Sequence, residues 1–152
     1  MTTQEGLRAL GVGTSARHDR AAYFLDLLGD SHTGLGRYEA AIAAYREAAQ
    51  GFEAEGAPCS RALCLVKIAD SYMSLHEPWH ALGYLEVCLP LLRELGLVRH
   101  FSLAQDQLAA CRAELARAQQ QLAYVRRGGL HARGHGRIFR HHLGHGLLVR
   151  EN

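Results

Sequence analysis

The sequence is poor in lysine, with Lys67 the only one among 17 basic residues, and holds three prolines and one tryptophan. It has no run of about 18 apolar residues, so no membrane-spanning helix is expected. No charged amino-terminal start leads into an apolar stretch, which argues against a secretory signal. The expected location is the cytoplasm. Cys59, Cys64, Cys88 and Cys111 form no CxxC pair, which excludes the paired spacing of zinc or disulfide frameworks and leaves buried structural thiols. Enzyme constellations are missing too. Gly11-Val12-Gly13 is not continued into a phosphate-binding loop, and His18 beside Asp19 is a sequence neighbour rather than a catalytic pair. No catalysis and no cofactor are expected.

What the chain does have is 48% hydrophobic content, enough for a core, and a near-repetition at 40 residues. Leu25 falls on Leu65, Leu28 on Ile68, Gly29 on Ala69, Asp30 on Asp70, Ser31 on Ser71, His32 on Tyr72 and Leu35 on Leu75. Ala41 then falls on Ala81, Ile42 on Leu82, Tyr45 on Leu85, Ala48 on Cys88 and Gly56 on Gly96. Small positions stay small and large apolar ones stay large, as closely packed helix pairs require.

Leu28-Gly29, Leu35-Gly36-Arg37-Tyr38-Glu39, Ala41-Ile42, Tyr45 and Ala48 together resemble one tetratricopeptide repeat. The second copy keeps Ala69, Tyr72, Leu75, Ala81 and Leu85, with His76-Glu77-Pro78 in its turn, and Leu108-Ala109 fit a third copy that begins near Ser102. The resemblance covers about residues 20 to 123 and implies an all-α fold: a short solenoid of antiparallel helical hairpins with a long closing helix. The endings Phe52-Glu53-Ala54-Glu55-Gly56 and Leu92-Arg93-Glu94-Leu95-Gly96 resemble the sensor regions of bacterial SARP-type and MalT-like transcriptional activators. That likeness implies a regulatory, protein-binding role, although no DNA- or nucleotide-binding motif accompanies it. The arginine and alanine bias suits a GC-rich bacterial genome.

Element by element, Leu7, Leu10 and Val12 suggest the end of a capping helix within residues 1–18, stopped at Gly11 and Gly13. Asp19 is expected to cap a first helix over 20–34. Further helices are predicted over 38–54, 60–75, 78–95 and 98–126, the last with Phe101, Leu108, Cys111, Leu115, Ala118 and Leu122 on one side. Pro90 is expected to kink the fourth. The repeat domain is placed at residues 19–124. Two hairpins are marginal alone, so self-association or a parent chain is expected to supply missing neighbours.

Residues 125–152 differ in composition. Arg126, Arg127, Arg133, Arg137, Arg140 and Arg150 face a single acid, Glu151, whereas residues 1–124 hold eleven basic and fourteen acidic side chains. The glycine content there predicts a flexible basic tail.

In the hairpin arrangement the resemblance implies, the first helices line a concave face. Tyr23, Asp26, Asp30 and Thr33 then form one row, Leu63, Val66 or Lys67, Asp70 and Met73 a second, and Asp106 with Gln107 a third. Four aspartates in one groove favour a protein or peptide partner of basic character. The family's carboxylate clamps use Lys, Arg and Asn here, and only Lys67 matches. The competing reading places function in the tail, either nucleic-acid binding through arginine–phosphate contacts or metal binding through His131, His135, His141, His142 and His145. His32 stands at a core aromatic position and is read as packed rather than catalytic.

Overall fold

The computed structural model describes the backbone of residues 12–148 and the side chains of residues 20–128. The described chain is all-helical: α1 (Val12–Gly34), α2 (Tyr38–Ala54), α3 (Pro58–Ser74), α4 (Pro78–Glu94) and α5 (Val98–Leu148). Adjacent helices pack in succession. The chain divides into two compact units, Met1–Ala113 and Glu114–Asn152.

Three-residue connections separate the helices of the first unit, and all four connections use one hydrogen-bond pattern. The amide of Gly36 donates to the Thr33 carbonyl (3.0 Å), and that of Arg37 donates to the His32 carbonyl (2.9 Å). The same pair of bonds recurs at Gly56 and Ala57, at His76 and Glu77, and at Gly96 and Leu97. These are Schellman closures, which need a left-handed residue just past the helix end. Gly36, Gly56 and Gly96 occupy that conformation at φ near 70°, and His76 occupies it at φ 57°. The next residue is already the N-cap of the following helix: the Arg37, Ala57 and Glu77 carbonyls accept from the amides of Ala41, Arg61 and Ala81. Pro58 and Pro78 follow at the first helical position, where a missing N–H costs nothing.

A left-handed conformation costs an L-residue about 1–2 kcal/mol, which glycine avoids. Glycine at position 76 is therefore expected to be more stable than alanine there by about 1 kcal/mol in urea melts. Equal stability of His76→Gly and His76→Ala would contradict the strain at this turn.

The core between α1, α2 and α3 gathers Ala22, Ala48, Ala49, Phe52 and Cys64, with Leu25 and Ala57 packed against it. Tyr45, Ile68, Leu85 and Leu92 are the largest fully buried apolar side chains. Two glycines set the α1–α2 approach. A methyl group on Gly29 would stand 2.8 Å from Tyr45 Cζ and closer still to Cε1, and one on Gly51 would stand 2.8 Å from Ala22 Cβ. In the second pair Ala69 takes the place of Gly29 and the smaller Leu85 that of Tyr45, both fully buried.

Several boundaries differ from those expected. α1 begins at Val12, so Gly13 and Asp19 lie inside the helix rather than at a stop and a cap. A glycine weakens a helix by about 1 kcal/mol yet keeps its N–H, so the hydrogen-bond ladder passes through it. Leu7 and Leu10 lie outside the described residues. α3 starts two residues sooner than expected, at Pro58 itself. Pro90 sits on the exposed side of α4, and the helix continues past it to Glu94. Cys59 is exposed, whereas Cys64, Cys88 and Cys111 are buried thiols that form no disulfide.

On α5, Ala104 and Cys111 are fully buried and the Cys111 thiol donates to the Pro78 carbonyl (2.9 Å). Burial ends at Leu115; Ala118 and Leu122, expected on the packed side, are exposed. The α5 backbone remains helical to Leu148, across the boundary at 125 where glycine content predicts a flexible tail. Among the described residues no helix is long and apolar enough to cross a membrane.

Candidate functional site

Lys67 is the centre of a polar cluster between α1 and α3. Its ammonium lies 2.8 Å from Asp26 Oδ1 and 2.8 Å from Asp30 Oδ1, spanning one turn of α1 from the facing helix. The Tyr45 hydroxyl donates to Asp30 Oδ1 (2.8 Å), and the Tyr45 ring lies beneath the ammonium at 5.3 Å. Thr33 Oγ1 can donate to Tyr45 Oη at 3.1 Å or to the Gly29 carbonyl at 3.0 Å. Cys64 Sγ donates to Asp26 Oδ1 at 3.6 Å.

The titration behaviour follows this geometry. Burial alone would raise the Asp30 pKa, but the hydrogen bonds from Lys67 and Tyr45 and the Lys67 charge outweigh it and hold Asp30 below its ordinary value. Burial also opposes the Lys67 charge, and the two carboxylates together overcome it, so Lys67 titrates above its ordinary value. The Tyr45 hydroxyl is pushed up to about 12 by burial and by Asp30, against an opposing contribution from Thr33. Burial, then Asp26, pushes the Cys64 thiol up to about 12. A thiol that stays protonated is a poor nucleophile.

A cavity of about 250 Å³ opens next to this cluster. Leu63, Val66 and Leu103 form its apolar walls, and Lys67, Asp70, His100 and Gln107 its polar rim. Gln107 Nε2 donates to Asp70 Oδ1 (3.0 Å), which leaves Gln107 Oε1 buried without a hydrogen-bond partner.

Of the residues singled out in the sequence, Asp26, Asp30, Thr33 and Lys67 therefore meet in one cluster, and Asp70 joins Lys67 around the neighbouring cavity. Tyr23 is exposed, edge-on to Phe24. Met73 is half-buried and Asp106 is exposed, and neither lines the cavity. Lys67 bridges Asp26 and Asp30 and offsets one of their two charges, whereas Asp70 stands outside that bridge and accepts from the Gln107 amide. His32 is half-buried, its Nδ1 enclosed without a hydrogen-bond partner. The tail histidines lie outside the described side chains. Among the described residues no group of three His, Cys, Asp or Glu could hold a metal ion.

A second surface was not anticipated. Leu65, Trp79, His80, Gly83, Tyr84 and Val87 line a shallow groove of about 390 Å³. Its signal was present in the sequence, because Trp79, Gly83 and Val87 recur every fourth residue on α4, off the buried stripe of Ala81, Leu85, Cys88 and Leu92. No protein-family model matches the chain, and no curated protein matches it either.

Proposed function

We propose that the chain is a non-catalytic protein-interaction module, a short tetratricopeptide-like array of helical hairpins. It takes a cationic peptide segment on the face shared by α1, α3 and the first turns of α5. The single observation that carries this reading is the cavity beside Lys67, where apolar walls meet the Asp70 carboxylate and an unsatisfied Gln107 carbonyl oxygen. Both polar groups accept hydrogen bonds, and a guanidinium or ammonium with an apolar neighbour supplies what they lack. Rigid helices carry every one of these side chains, which suits recognition of a preformed partner. The resemblance to sensor regions of bacterial activators supports a regulatory setting in the cytoplasm.

The test is titration of the full chain with a fluorescent peptide of alternating arginine and leucine, read by anisotropy. Asp70→Asn is expected to weaken binding about tenfold at low salt, with the difference shrinking as salt screens the pair. Asp30→Asn is unsuitable for this purpose, because Asp30 holds Lys67 and Tyr45 and its loss disturbs the fold. Unchanged affinity in Asp70→Asn would move the binding site away from this face.

A further inference from the structure

The groove on α4 is bordered by an arginine that no carboxylate among the described residues pairs with. Arg46, projecting from α2, donates from Nε to the Tyr84 hydroxyl (2.9 Å) and from Nη2 to the Tyr72 hydroxyl. Its guanidinium carbon lies 5.9 Å from the centroids of both rings. Tyr72 is stacked in turn on His80 (4.9 Å, 16°) and on Tyr84 (5.8 Å, 26°). The Tyr84 hydrogen bond first, and then Tyr72, raise the Arg46 pKa above its ordinary value against the opposing effect of burial, and no carboxylate contributes. Glu77, which caps the start of α4, is engaged by His80 Nδ1 at 3.2 Å.

Neutral hydroxyls orient a guanidinium without cancelling its charge, and two of its five N–H donors are used here. Tyr84, which holds Arg46, lines the groove together with an exposed indole, Trp79 (65% exposed), and an exposed Val87 (53%). Gly83 adds no side chain, and a Cβ there would meet nothing within 4 Å. Fixed aromatic surface next to an oriented, unneutralised arginine is the composition of binding hot spots.

We infer that this groove is a second docking site, and that its occupant is an acidic peptide segment. An apolar side chain of that segment lies against Trp79 and Val87, and a neighbouring carboxylate pairs with Arg46. The charge preference is opposite to that of the face around Asp70, so the two surfaces take different partners.

Trp79 is the only tryptophan in the chain, so its emission reports on the groove directly. The full chain would be titrated with a peptide of alternating glutamate and leucine, with its glutamine counterpart as control. A saturable shift of Trp79 emission is expected with the acidic peptide, about tenfold weaker with the glutamine peptide or in Arg46→Gln. Gly83→Leu is expected to fill the groove and abolish the shift while melting no lower than the parent, which separates a blocked site from a failed fold. Asp70→Asn is expected to leave the titration unchanged. Emission that ignores the acidic peptide, or responds equally to the glutamine peptide, overturns the inference. So does a stronger response to a single-stranded oligonucleotide, which would make this a nucleic-acid surface.

Discussion

Gly29→Leu is expected to lower stability by about 3 kcal/mol, the upper end of what overpacking a close helix contact costs. The reason is the immobility of what the new side chain meets. Tyr45 is 2% exposed, and its hydroxyl is fixed by Asp30 and Thr33, so the ring cannot swing aside without breaking both contacts. Even the first carbon of a side chain at Gly29 would stand well inside van der Waals contact with the ring edge. The second helix pair suggests the remedy, because it joins an alanine at position 69 to a leucine at position 85. Gly29→Ala combined with Tyr45→Leu is thus expected to be more stable than Gly29→Ala alone. The coupling in a double-mutant cycle is expected to reach about 1–3 kcal/mol. Additive effects would mean that the two helices do not meet at this pair.

Lys67→Met is expected to cost about 1–2 kcal/mol near neutral pH, between the values for exposed and for buried ion pairs, since all three charged side chains are only partly covered. The pH dependence tells charge from packing. Asp30 is depressed in the folded state, so its contribution is present above its ordinary pKa and is lost as pH falls through the folded value. Lys67 is raised, so its contribution is present below its ordinary pKa and is lost as pH rises through the folded value. The difference between parent and variant should therefore form a plateau from about pH 5 to pH 10 and shrink on both sides. A difference of the same size at pH 2.5 would show that the lysine stem stabilises by covering Tyr45 rather than by charge.

Helix existence and order were legible in the sequence because they depend on short-range pattern. The α2 boundaries follow from Gly36 and Gly56, and α4 follows from Pro78 and Gly96. The sequence aligns with itself at a spacing of 40 residues, whereas the turns recur at 20: Gly36, Gly56, His76 and Gly96. The shorter period was masked by His76, the one turn residue that is not glycine. Buried and half-buried positions obey it as well, with Leu25, Tyr45, Leu65 and Leu85 in one register and His32, Phe52, Tyr72 and Leu92 in another. Of the candidate site, Asp26, Asp30, Thr33, Lys67 and Asp70 were legible as residues but not as pairs, and Tyr23, Met73 and Asp106 stand apart from it. Asp26 and Lys67 lie 41 residues apart, and nothing local in either segment says that one lysine will reach two aspartates. The α4 groove shows in the sequence only as the four-residue spacing of Trp79, Gly83 and Val87, none of which carries a charge.

The four shared turns constrain how the length of such a chain can change. Because the residue that closes one helix also caps the next, no linker exists in which an extra residue could be absorbed. One residue inserted within α2 would turn every later side chain on that helix by about 100°, carrying Phe52 off the core while Tyr45 stayed on it. Length can then vary only in whole helix-and-turn blocks of 20 residues, or in pairs of them where the alternation of small and large contact residues must be kept. A duplication spanning residues 38–77 would begin and end in the same phase and present the same turn at both joins. Growth by such quanta adds helices without re-solving the packing of those already there.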